Sequence, residues 1–450
     1  MADATHFFPP DFLWGTATAS HQVEGQNDNN DWWAWEQEDP DHVWGGLTSG
    51  RACDWWAGQA EGDIERMVAL HTNALRLSIE WSRIEPDLAT WDNDAIDRYR
   101  AILKTMRDAG IQPMVTLHHF TNPLWVAEQG GWTNPQTVDW FVRFVKKAVA
   151  DLADLCDVWC TIHEPNVYAS KGFLEGDWPP GLSDPGAYFE VVYNLLQAHA
   201  GAYSVIHELQ PRAKVGLAKH LIVWHPRSGF PLDRMAANLL DRFFNRITLD
   251  ALQTGWWRPP FGRKFEDEKL KGTLDWIGLN YYQRYDAYFS LSALSSLGLS
   301  YAARPGYEKG PGGWGEIYPD GLFMLMKRLH RQFHLPIYIT ENGRPDEHDE
   351  DRPRFILEHL RRVWQTTVFG WQVQGYYFWT LVDNFEWAEG YDPRFRFGLY
   401  GLNRETQERT LRRSGELYAE IARTNSISSG MARRYAPEIV ATLFPGDAPT

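Results

Sequence analysis

The amino-acid sequence predicts a single (β/α)8 TIM barrel with long βα loops around the active site. Three observations carry that prediction. Short apolar, β-branched runs alternate with longer runs of helical period along nearly the whole chain. The alternation amounts to about eight units, the number that closes a barrel. Most of the apolar runs end in polar residues, so chemistry-bearing side chains gather on one face.

The elements follow in order. The first strand is placed near 12–16 and the second over 74–79. Ile96, Tyr99, Ile102, Leu103 and Met106 recur at helical spacing, which predicts a helix over 94–109 closed by Gly110. A third strand, 111–117, follows at once. Asn134-Pro135 supplies a cap and an N1 proline for a helix with Val138, Phe141, Val145, Val149 and Leu152 on one face. Further strands are expected at 158–162, 214–218, 274–279, 337–340 and 375–379. Further helices are expected at 186–209, 234–252, 320–332, 354–369 and 409–422.

The connections 27–54 and 284–317 are long and rich in Gly, Pro and Trp, and should build the rim of a site. Residues 1–450 read as one catalytic barrel domain, with 425–450 a weakly patterned C-terminal tail that covers the bottom face or frays. A doubly wound open sheet would need a glycine-rich phosphate turn after an early strand, and none is present.

Composition narrows the function. Among 450 residues, 59 acids face 44 bases, a formal net charge of −15, and no run is rich in Lys or Arg. Nucleic acid and anionic membranes are therefore poor partners. No apolar stretch approaches the ~18 residues of a membrane span, and the N-terminus lacks a basic start and an apolar core. The three cysteines, Cys53, Cys156 and Cys160, fit a reduced cytoplasm, so a cytoplasmic location is expected. Tryptophan is as frequent as phenylalanine, 23 of each.

Catalytic groups of such a barrel lie at the C-terminal strand ends. The first strand runs toward Gln22 and Glu24, and the second carries Arg76. The third runs into His118-His119, and the fourth into His163-Glu164. The sixth ends Asn280-Tyr281-Tyr282, the seventh Thr340-Glu341-Asn342. The eighth ends at Trp379, with Glu386 and Trp387 beyond. Glu164 and Glu341 are carboxylates on different strands, the pair glycoside hydrolysis requires: one protonates the leaving oxygen, the other attacks or activates water. Trp314, Trp379 and Trp387 offer flat faces for sugar C–H surfaces and N–H donors for hydroxyls. His118, His119 and His163 could instead ligate a metal, as in a metal-dependent barrel hydrolase. The first strand adds no further ligand pair, so no metal and no cofactor are expected. A sugar-binding protein without catalysis would lack one carboxylate, and both are present.

At these residues the chain resembles family 1 glycoside hydrolases, the β-glucosidase/β-galactosidase group. The resemblance spans 12–422. It rests on the segment 12–25, the Arg76 strand, Thr116-Leu117-His118-His119, Glu164-Pro165, Asn280-Tyr281-Tyr282, Ile339-Thr340-Glu341-Asn342-Gly343 and 379–391. It implies that Glu164 is the acid/base and Glu341 the nucleophile. Arg76, Asn280 and Tyr282 would surround the nucleophile. Gln22, His119, Glu386 and Trp387 would hold the non-reducing-end sugar. The implied ligands are small-molecule β-glucosides or short oligosaccharides, with possible galactoside or fucoside cleavage and transglycosylation on the same residues. An acidic Glu386, where phosphoglycosidases carry a serine and a lysine-containing loop, implies an unphosphorylated sugar. Neither long loop shows a self-complementary apolar patch that would dictate an oligomer.

The chain departs from the family pattern at His163, where an asparagine is usual, and at Phe120, where tryptophan is common. A protonated His163 would favour ionised Glu164 and weaken the acid at low pH. The implied mechanism is double displacement, with carboxyls about 5–5.5 Å apart.

Overall fold

The computed structural model describes residues 3–447. Eight parallel strands close into a barrel: β1 (Leu13–Ala17), β2 (Ala74–Ser78), β3 (Gln112–His118), β4 (Val158–His163), β5 (Lys214–His220), β6 (Trp276–Asn280), β7 (Ile337–Asn342) and β8 (Val373–Phe378). Each strand pairs with its sequence neighbours, and β8 closes onto β1 with Gly375 opposite Leu13 and Phe378 opposite Thr16. A Cβ on Gly375 would stand 2.7 Å from the Leu13 Cβ, so glycine lets this seam close. The strands are buried on both faces, as expected when helices cover a parallel sheet.

The covering helices are α1 (Ala60–Ala69), α2 (Asn93–Asp108), α3 (Gln136–Leu152), α4 (Pro185–Leu209), α5 (Ile247–Thr254), α6 (Pro319–Phe333), α7 (Arg352–Val368) and α8 (Arg413–Thr424). The α2 stripe Ile96, Tyr99, Ile102, Leu103 and Met106 is buried, and Gly110 takes φ +76° just beyond its end. At α3, Asn134 Oδ1 accepts the Gln136 N–H at 3.0 Å, so the expected cap is present.

Three expectations change. The continuous helix expected over 234–252 is split into Pro231–Leu240, a π-helical turn Asp241–Arg246, and α5. Groups from that turn are used elsewhere: the Phe244 carbonyl accepts from buried Lys219 at 2.9 Å, and Asn245 bonds both backbone groups of Ile222. The last helix starts at Arg413, because Arg409–Leu411 pairs as a strand with Tyr400–Leu402 and Arg409 reaches buried Asp63. The segment after α8 is structured where it is described: Ser426–Ser428 pairs antiparallel with Thr5–Phe7, and Ser429–Tyr435 is helical.

The long loops also carry structure. The 27–54 connection contains the helix Asp31–Glu38, capped by Asn30. The 284–317 connection supplies strands Arg284–Phe289 and Leu299–Ala302, which join Val223–Pro226 in a three-stranded sheet. All three cysteines are free and buried. No helix among the described residues is long and apolar enough to cross a membrane.

Candidate active site

The C-terminal ends of β4 and β7 place Glu164 and Glu341 inside the barrel mouth, 5% and 4% exposed. Glu164 follows β4 at φ +44°, a left-handed conformation that L residues adopt only at a cost of about 1–3 kcal/mol, and Pro165 then starts a short helix. One imidazole nitrogen faces both acids: His163 Nε2 lies 3.3 Å from Glu341 Oε1 and 3.9 Å from Glu164 Oε2.

The two carboxyls have unequal surroundings. Glu341 is ion-paired to Arg76 and accepts from the Tyr282 hydroxyl at 2.6 Å. Glu164 accepts from the Asn280 amide at 2.6 Å. Burial raises the pKa of both. Arg76 and Tyr282 pull Glu341 back toward the anion. For Glu164, the negative charge of Glu341 adds to burial and lifts it to about 8. The arrangement favours the proton on Glu164 and the charge on Glu341.

Asn280 lies beside the nucleophile but bonds the other carboxyl. It stands opposite Glu341 in the β6–β7 ladder, yet its side chain serves Glu164. The reason is local: Thr340 Oγ1 donates to Asn280 Oδ1 at 2.6 Å, which turns the Nδ2 donor toward Glu164.

His163 also behaves differently from expectation. Arg76 Nη1 lies 3.4 Å from its Nδ1, and a guanidinium can only donate. Nδ1 therefore accepts and the ring is neutral with its proton on Nε2. Burial, His119 and Arg76 hold its pKa well below the ordinary histidine value. These surroundings disfavour the protonated His163 expected to weaken Glu164, and the ring's closer partner is Glu341.

His119 stacks on His163 with centroids 3.7 Å apart, and Arg76 also contacts its Nδ1 at 3.5 Å. Next come Trp387, stacked 6.0 Å from His119, and Trp379, 6.4 Å from it. Phe120 turns an edge to both His163 and Trp387. Gln22, fully buried, donates to the Phe385 carbonyl at 2.7 Å and lies 3.4 Å from Glu386. Trp314 sits on the other flank, edge-on to Tyr282 at 5.7 Å. The barrel thus brings together every residue singled out for catalysis or sugar contact.

His118 is the exception within the histidine trio. It turns away to Asn122 at 3.1 Å and the Trp132 indole. His119, His163 and Glu341 do present donor atoms within 4.8 Å of one another. Arg76 already points its guanidinium at all three, so a cation there would meet a fixed positive charge. The donor set does not suit a metal.

Two residues escaped the sequence reading. Lys219 and His220 end β5, and His220 Nδ1 lies 3.6 Å from Glu164 Oε1. Their signal was the same apolar run passing into polar residues that marked the other strands.

A buried acid kept protonated opposite a buried anion, at the strand ends of a barrel, defines the class of a glycoside hydrolase. Comparison with known proteins makes this specific. Residues 4–427 match the sequence model of "Glycosyl hydrolase family 1". The chain is 32% identical to "Beta-glucosidase A" of Thermotoga maritima, covering 93% of this chain and 98% of that one. It is 30% identical to a "Beta-galactosidase" of Pyrococcus woesei, covering 94% and 98%. Among solved structures, a beta-glycosidase from Pyrococcus horikoshii superposes with a TM-score of 0.88 at 38% identity, over 97% of this chain and all of the other. The chain belongs to glycosyl hydrolase family 1, a family of retaining glycosidases.

Proposed function

We propose that this enzyme is a retaining β-glucosidase, in which Glu341 is the nucleophile and Glu164 the acid/base. The observation that carries the assignment is the inequality of the two carboxyls. Glu341 has a guanidinium and a phenol to hold its charge; Glu164 has one neutral amide and a repelling neighbour.

The chemistry follows from that inequality. Glu341 attacks the anomeric carbon while Glu164 gives its proton to the departing oxygen. Glycosylation neutralises Glu341, which removes one of the two causes that raise Glu164. The acid strength of Glu164 then increases, and its carboxylate takes a proton from the attacking water. Water adds on the face the leaving group vacated, so configuration is retained.

Glucose as the sugar is supported by the names of similar enzymes, and galactose by others. Burial, the carboxylates of Glu389 and Glu341, and the polar groups of Trp379 and Gln22 act on Glu386. That surrounding supports an unphosphorylated sugar. Proton NMR of an aryl β-glucoside digest tests the reading. The β-anomer of glucose should appear first; initial release of the α-anomer would overturn it.

A further inference from the structure

The two oxygens of Glu164 have different neighbours. Oε1 accepts the Asn280 amide at 2.6 Å, and His220 Nδ1 stands 3.6 Å from the same oxygen. Oε2 has His163 Nε2 at 3.9 Å. Strand register explains the convergence on Oε1: His220 and Asn280 lie opposite each other at the ends of β5 and β6. A donor already on Oε1 favours the acidic proton on Oε2, the oxygen left to meet the leaving group.

The His220 imidazole is held from several sides. Its main-chain carbonyl accepts from buried Lys219 Nζ at 2.9 Å and from the Asn166 amide at 3.3 Å. Lys219 Nζ also bonds the Phe244 carbonyl at 2.9 Å, which ties the π turn Asp241–Arg246 to the end of β5. Phe244 and Tyr282 then meet the ring edge-on, each at 5.7 Å. A π turn used in this way matches the frequent occurrence of such turns at functional sites.

One tautomer gives the ring's proton a partner. Burial and the neighbouring Lys219 push the pKa of His220 down to about 3, which favours a neutral ring with a single proton. Nε2 is buried with no hydrogen-bond partner among the described residues, so a proton there is unpaired. On Nδ1 the proton faces Glu164 Oε1. At 3.6 Å the pair is just outside hydrogen-bond distance. Ionisation of Glu164 draws the donor in, as catalytic hydrogen bonds commonly tighten only when the reaction proceeds. The titratable groups facing Glu164 are Glu341, Arg76, His163, Lys219, His220 and Tyr282; those facing His220 are Glu164, Lys219 and Tyr282.

We propose that His220 is a positioning residue for the acid/base: its Nδ1–H bonds Glu164 Oε1 whenever that carboxyl is ionised, and so holds the base for the second half of the reaction with Oε2 turned to water. In that half, water gives a proton to Oε2, its oxygen bonds the anomeric carbon, and the ester bond breaks to return the Glu341 carboxylate. The proposal rests on Glu164 being the acid/base. A donor to the anion lowers the pKa of Glu164, so removing it raises that pKa in the free enzyme and in the glycosyl-enzyme.

His220→Phe and His220→Asn in the full chain test it. Phenylalanine keeps a ring against Phe244 and Tyr282 and has no donor. Asparagine keeps an N–H at the position of Nδ1. With dinitrophenyl β-glucoside, whose departure needs no proton, kcat after the dinitrophenolate burst reports the glycosyl-enzyme, in which Glu164 must be ionised. Its acid limb should move to higher pH by about one unit in His220→Phe, the low end for a hydrogen bond to a charged group, and stay near the wild type in His220→Asn. The basic limb of kcat/KM for methyl β-glucoside, which needs the protonated acid, should move in the same direction. Histidine NMR of the wild type, free and trapped as its fluoroglucosyl form, checks the tautomer without a variant: the proton should sit on Nδ1 and its resonance move downfield on trapping. Limbs that do not move, limbs that move to lower pH, an asparagine variant that behaves as the phenylalanine one, or a proton on Nε2 would overturn the role of His220 while leaving the β-glucosidase reading standing. A wild-type enzyme that cleaves neither glucoside would overturn both.

Discussion

Tyr282→Phe removes one hydroxyl and leaves the ring. The hydroxyl's partner is Glu341 Oε2 at 2.6 Å, and the ring keeps its edge contacts with Trp314 and Phe397. A hydrogen bond to a charged group contributes about 1.5–3 kcal/mol. One pKa unit corresponds to about 1.4 kcal/mol, so the nucleophile's pKa should rise by about one to two units. The sign follows from the state that reacts. Glu341 must be ionised, and losing a donor to the anion favours its protonated form. The acid limb of kcat/KM therefore moves to higher pH by about one to two units. Arg76 remains ion-paired to Glu341, so activity should recover once the pH exceeds the new limb. The basic limb, set by burial of Glu164 and the charge of Glu341, should move less. The assay is kcat/KM for an aryl β-glucoside across the pH range, with Tm measured in parallel. An unmoved acid limb, or one displaced to lower pH at unchanged Tm, would refute the reasoning.

Glu164→Gln should slow substrates with poor leaving groups by about 10²–10⁴-fold and dinitrophenyl glucosides much less, since good leaving groups need no proton; equal losses on both would contradict the acid role. In the wild type, activity should fall as pH rises through the elevated pKa of Glu164, near 8, because the reacting form is protonated. Histidine NMR should show His163 neutral and protonated at Nε2 at neutral pH, given its lowered pKa and its Nδ1 contact with Arg76; a cationic ring or a proton on Nδ1 there would contradict the assignment. Gly343→Ala would place a Cβ 2.2 Å from the Trp379 carbonyl oxygen, so it should destabilise the fold by about 1–3 kcal/mol and lower activity, measured by denaturant unfolding and kcat/KM.

Much of the barrel is legible because its strands are buried apolar runs ending at a polar mouth. Arg76, Glu164 and Glu341 stand out because charged residues abut such runs, and a charge at a buried strand end needs a partner or a function. The π turn 241–246 is not legible, since it depends on Lys219 and Ile222 drawing on groups of that turn, more than 20 residues on. The 409–411 strand was hidden for a similar reason: Arg409 satisfies Asp63 across 346 positions of sequence. Within the site, the sequence names His163 but not its tautomer, which Arg76 sets from 87 residues away. It names Asn280 but not the carboxyl it serves, which the Thr340 hydroxyl decides. The convergence of His220 and Asn280 on one oxygen of Glu164 needs the β5–β6 register, and periodicity does not show it.

The central claim is that Glu341 forms the bond to sugar. Glu341→Gly in the presence and absence of azide tests it most directly. The variant should lose turnover of an aryl β-glucoside, and added azide should restore it by attacking from the space the carboxylate vacates, giving the α-glucosyl azide. Turnover that survives the substitution without azide, or a β-glucosyl azide as the product, would contradict the assignment.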